Sequence, residues 1–146
     1  VNEEAMASDV DTAKKDIQKL ERALADFYKK LLAHIKQTSK AASIRDKTTV
    51  MSAIQGHAQY AMAEYDNLGV KDKLLKDAID NYTRAIDDRM KRIILPNWGA
   101  MPEPESKESQ IMIQMNNLAK SIIFPLIQRQ EASLKGAEFQ LEGVGG

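Results

Sequence analysis

Two histidines, His34 and His57, are the side chains best suited to metal or acid-base chemistry in this chain, which contains no cysteine. Helical di-iron proteins aim their ligands inward with a glutamate three residues before each histidine. Here positions 31 and 54 are leucine and isoleucine. Without cysteine there is also no thiolate metal site, no disulfide, no cysteine nucleophile and no c-type haem attachment. Folding the first two helices back about a turn near residue 40 puts His34 opposite residue 47 and His57 opposite Leu24. The two rings then lie some ten residues apart along the axis and cannot share an ion. Each reads as a surface or satisfied boundary histidine. The acidic pairs Asp87-Asp88 and Asp77 with Asp80 fall at non-apolar helix positions, within three or four residues of Arg84, Lys91 and Arg92, where carboxylates form solvated ion pairs. No catalytic residue, metal or cofactor is assigned. One basic cluster remains, Arg84, Arg89, Lys91 and Arg92. It either complements a helix C-terminal dipole or forms an anion site whose candidate ligand-binding residues are His34, Arg89, Arg92, Asn116 and Asn117.

These side chains need helices to position them. Val10, Ala13, Ile17, Leu20, Leu24, Phe27, Leu31 and Ile35 alternate at steps of three and four, which predicts a helix over about 4–38. The polar step from Gln37 to Ser43 predicts a turn. A second helix over about 43–68 carries Ile44, Met51, Ile54, Ala58, Ala61, Met62, Tyr65 and Leu68; Gly56 inside it suggests close backbone approach beside Ala53 and Ala61, or else a neighbouring ligand. Gly69 predicts a C-cap and Asp72 an N-cap. A third helix over about 72–95, with Leu75, Ile79, Tyr82, Ile86, Met90 and Ile94 on one face, ends at Pro96. Three of the four prolines and the sole tryptophan, Trp98, lie between Pro96 and Glu105, a segment that reads as a rigid lid with Trp98 plugging the end of the molecule, ahead of the alternative of a binding loop. A fourth helix over about 106–141 carries Ile111, Met115, Leu118 and Ile122. It is bent at Pro125, and frays through Gly143-Val144-Gly145-Gly146.

The fold class predicted is all-α: an antiparallel up-down-up-down four-helix bundle with long first and last helices, forming one domain over residues 1–146. The composition agrees, with 43% hydrophobic, 29% charged and only 5% aromatic residues. Lys plus Arg equals Asp plus Glu at 21 each, so nucleic-acid binding loses its usual electrostatic basis. No run reaches the roughly 18 apolar residues of a membrane span, so a membrane would be met only through flanking segments. The same register count sets Asp72 level with Arg129. It carries the fourth helix about twelve residues, roughly 18 Å, past the connection between the second and third helices. The first helix passes that connection too, as in a domain inserted between two further helices; a start at Val1 rather than methionine is compatible with an excised piece.

Domain size, long terminal helices leaving at one end, and the segment Phe124-Pro125-Leu126-Ile127-Gln128-Arg129-Gln130-Glu131-Ala132 resemble the extracytoplasmic four-helix-bundle ligand-binding domains of bacterial chemoreceptors and sensor kinases. The first helix departs from the pattern, offering only Arg22 where familiar members cluster arginines. The resemblance implies a periplasmic, homodimeric sensor that binds a small molecule and signals by helix displacement, with no enzymatic activity. The alternative is a helical assembly protein that docks a partner through Leu134, Phe139 and Leu141 on its projecting helices.

Overall fold

The computed structural model describes residues 3–43 and 46–145. Among them the chain is all-helical and contains no strand. The helices are α1 (Glu3–Ser43), α2 (Lys47–Leu68), α3 (Lys73–Arg89), α4 (Pro104–Leu118) and α5 (Phe124–Gly145). Two five-residue π-helical segments interrupt the α geometry, Met90–Ile94 after α3 and Ala119–Ile123 between α4 and α5. α4, its π segment and α5 thus make one unbroken helical stretch, and four such stretches build the molecule.

Their inner faces supply the core. Leu24, Leu31, Ile35, Leu75, Ile79, Tyr82, Ile86, Met90, Ile94, Ile111, Met115 and Ile123 are fully buried, and each aliphatic side chain so removed from water contributes roughly 1.5–3 kcal/mol. Trp98 is buried in the same cluster, in a short 3-10 turn, with the Lys107 ammonium 4.7 Å above its ring. The tryptophan expected to plug the molecule is thus packed into the core.

The boundaries of α1 and α2 correct the sequence expectation. α1 does not turn at Gln37–Ser43 but runs through it: Ser39 is buried and donates its hydroxyl to the Ile35 carbonyl at 2.8 Å, and Thr38 is buried beside it. A hydroxyl bonded back within the helix stops competing for a turn. α2 then starts at Lys47 rather than Ser43, because Asp46 takes the N-cap and accepts from the Thr49 amide at 2.8 Å. Ile44, assigned from sequence to the second helix, lies outside the described residues.

Other signals fall where expected. Gly69 closes α2 in the left-handed region at φ 68°, and Asp72 caps α3 by accepting from the Leu75 amide at 2.9 Å. Asp72 also binds α5, its carboxylate accepting from the Gln130 amide, and its carbonyl accepts from the Tyr65 hydroxyl at 3.1 Å. The register that set Asp72 about level with Arg129 is thus met to within a residue. α4 begins at Pro104, two residues before Ser106, with the proline in the first turn where its missing N–H is harmless. α5 continues to Gly145 instead of fraying after Leu141; Gly146 is outside the described residues.

Both π segments end two residues before a proline, Pro96 and Pro125. A proline ring collides with the carbonyl four residues back in an α-helix. The wider turn, with Leu95 and Phe124 amides bonding five residues back to Met90 and Ala119, opens that space. The irregularity expected at Pro125 is accordingly taken up before it.

Gly56 corrects a second expectation. Its Cβ would meet nothing within 4 Å and the residue is exposed, so no close backbone approach requires glycine there. Gly56→Ala should raise the unfolding free energy by about 0.5–1 kcal/mol, measured as a higher urea midpoint with unchanged m.

Candidate functional site

Where α1, α2 and α3 meet, His34, His57 and Tyr82 form a hydrogen-bonded chain leading into a mostly apolar core, with Tyr60 stacked on its outer ring. His34 Nδ1 and His57 Nδ1 stand 2.8 Å apart, and His57 Nε2 is 2.7 Å from the Tyr82 hydroxyl. The imidazole centroids are 5.0 Å apart with planes 23° from parallel, so the facing nitrogens point along the line joining the rings. Tyr60 lies flat on His34 at 3.9 Å and 6°, which holds that ring in orientation. His57 is fully buried, Tyr82 likewise, and His34 is half-buried at the outer end of the chain of bonds.

The contact overturns the expected ten-residue separation of the two histidines. The pairs His34–His57 and Lys30–Glu64, the latter at 3.9 Å, have their midpoints near Asp46, not at residue 40. Extending α1 to Ser43 moved the connection and slid α2 along α1. The signal was present in the sequence as the N-cap Asp46 with Thr49, which competed with Thr38, Ser39 and Ser43 for the same role.

Burial sets the charge state. Desolvation, reinforced by the neighbouring His34, pushes the His57 pKa down to about 3; desolvation also lowers His34. Burial, followed by the charge of Tyr28, raises Tyr82 above the ordinary tyrosine value. At neutral pH the cluster is uncharged. Only one proton assignment then satisfies every buried group: Tyr82 donates to His57 Nε2, His57 Nδ1–H donates to His34 Nδ1, and His34 carries its proton on Nε2 at the partly exposed end. The reverse direction would leave the Tyr82 hydroxyl hydrogen without a recipient. Thr38 Oγ1, 3.4 Å from His34 Nδ1, adds a weak second donor. The cluster can hold and relay a proton; among the described residues no group of three or more His, Cys, Asp or Glu side chains is placed to hold a metal ion.

Compared with protein-family models, curated proteins and solved structures, the chain matches none.

The five residues singled out from sequence do not converge. His34 belongs to the cluster just described. Arg89 is exposed and donates to the Gln114 side chain of α4 at 3.1 Å. Arg92 is exposed and pairs with Asp88 at 2.8 Å, as Lys91 does with Asp87; exposed pairs of this spacing contribute about 0.3–0.5 kcal/mol. Asn117 is exposed, and Asn116 is half-buried with its Oδ1 enclosed and unbonded. Among the described residues no hydrogen bond or ion pair joins His34 to the other four. One turn beyond Arg89, at the α3–α4 connection, lies a hollow of about 290 Å³ walled by Ile93, Ile94, Asn97, Ala100, Met101 and Gln110, none of them among the five. Ile93 is one turn beyond Arg89, and Gln110 one turn before its partner Gln114. Sequence reasoning missed this hollow, because residues of the loop after Pro96 make most of its wall. A larger open hollow of about 500 Å³, lined in part by Lys71, Lys73 and Lys76 at the α2–α3 connection, likewise contains none of the five.

Proposed function

We propose that the chain is a non-enzymatic, ligand-binding sensor domain: an antiparallel up-down-up-down bundle that receives a small, anionic molecule near the α3–α4 loop and passes its binding along the two long helical stretches. One observation carries this reading. Asp72 in the α2–α3 connection is bonded to Gln130, yet Gln18 of α1 still reaches Glu138 of α5 at 3.2 Å, eight residues or about 12 Å farther along. Two helices thus remain in register beyond the shorter pair, the form required of elements that carry a displacement out of a bundle. In this reading the domain is extracytoplasmic and homodimeric, and it meets a membrane only through segments flanking the chain; no helix among the described residues is long and apolar enough to cross one.

Arg89, one turn before Ile93 of the hollow's wall and bonded to the neutral Gln114 side chain, is the preferred anion contact, whereas Arg92 is paired with the Asp88 carboxylate. In a thermal-shift screen of organic acids and amino acids, a binder present at a hundred times its Kd should stabilise the domain by about 2.7 kcal/mol. Arg89→Ala should abolish that response and Arg92→Ala reduce it. A second reading is favoured by Phe139, which is 76% exposed on α5 and would anchor a partner chain in an assembly protein. No stabilisation across the panel, with concentration-dependent self-association lost in Phe139→Ser, would replace the sensor reading with that one.

A further inference from the structure

The His34–His57 bridge has room for one added proton and no more. In the neutral cluster a single N–H lies between the two Nδ1 atoms. One extra proton can be placed on either ring while keeping a single N–H in that 2.8 Å gap, at the cost of turning His57 Nε2 into a donor and leaving the Tyr82 hydroxyl hydrogen without an acceptor. A second proton puts an N–H on both facing nitrogens. Two cations would then confront each other donor to donor, inside a core where His57 is 0% exposed, and the contact cannot survive.

Among the described residues nothing nearby neutralises that charge. From α1 the rings meet Thr38, with Tyr28 beyond the Tyr82 end; from α2 they meet Tyr60, whose neighbour Glu64 is turned to Lys30; from α3 they meet Tyr82. The α4–α5 stretch reaches this region through the apolar ring of Phe124, 5.0 Å from Tyr28. Among the described residues no carboxylate touches either imidazole.

We propose that the His34–His57 bridge is a proton-operated latch between α1 and α2, closed with at most one added proton and opened by the second. Opening exposes both imidazoles, which then titrate near their ordinary value of 6.5. Below that value acid multiplies the open-to-closed ratio by up to about a hundredfold per pH unit when two rings take up protons, and by about tenfold when only one is present. The hydroxyl of Tyr82 couples the latch to α3. This inference does not rest on the sensor reading, since it needs no ligand other than the proton.

The absence of cysteine permits a clean test. Gln37→Cys and Gln55→Cys place spin labels at exposed positions of α1 and α2 close to the bridge, and the label distance is followed from pH 8 to pH 4 on the full chain. A lengthened distance population is expected to grow steeply with acid while Trp98 fluorescence and helical circular dichroism stay constant. His34→Gln, at the half-buried end of the cluster, should cut the steepness to that of a single proton, and His57→Gln should do the same where it folds. The proposal is overturned if the distance changes only together with the fluorescence and helix signals, or if His34→Gln opens with undiminished steepness.

Discussion

Replacing Tyr82 with alanine is expected to lower the unfolding free energy by roughly 3–5 kcal/mol, and Tyr82→Phe alone by roughly 1–3 kcal/mol. The first figure combines a cavity at a fully buried position with the loss of the 2.7 Å bond to His57. The second isolates the bond, since phenylalanine fills the site and leaves His57 Nε2 as a buried acceptor with nothing to accept. A double-mutant cycle separates the bond from the packing. In a His57→Leu background the orphaned acceptor is gone, so Tyr82→Phe should cost under about 1 kcal/mol, a coupling of the size found for residues in one buried network. Equilibrium urea unfolding at pH 7.5 measures all four corners. An equal cost of Tyr82→Phe in both backgrounds would remove the hydrogen bond from the account of this core.

Stability is also expected to fall steeply with acid, beginning at the ordinary histidine pKa. His57 is held down to about 3 in the folded chain against 6.5 when exposed. A group whose folded pKa is depressed binds fewer protons folded than unfolded, so its contribution is complete above pH 6.5 and is lost progressively as pH falls toward 3. Within that window the slope is up to about 1.4 kcal/mol per pH unit for one buried histidine. His34, shifted in the same direction, steepens the loss. Where the latch opens, the native state itself takes up protons and the curve levels. Urea midpoints from pH 8 to pH 4.5 should therefore be flat above 6.5 and decline below it. His57→Leu, less stable at pH 8, should lose less than the parent chain on acidification. An acid limb as steep in that variant as in the parent would assign the loss to other groups.

Both effects come from residues whose importance the linear chain conceals. Apolar spacing determined that this chain is helical and, apart from the end of the first and the start of the second, where its four stretches lie; the cap residues Gly69 and Asp72 separated the second from the third, and Trp98 in the proline-rich segment marked a buried anchor. These properties are local: a helical stripe, a left-handed glycine and an N-cap carboxylate are each decided within a few residues. The basic cluster of Arg84, Arg89, Lys91 and Arg92 is local in the same way, lying close together in the chain.

Only the tertiary structure decided what His34, His57 and Tyr82 do. The register between α1 and α2 depends on where a 41-residue helix stops, and three hydroxyl residues, Thr38, Ser39 and Ser43, all resemble a stop. Burial of Thr38 and Ser39 against neighbouring helices cancels that tendency, and no local pattern records burial by a partner. A displacement of a few residues in the connection is doubled in the register of the returning helix. That doubling turned two histidines that sequence counting held far apart into a hydrogen-bonded pair.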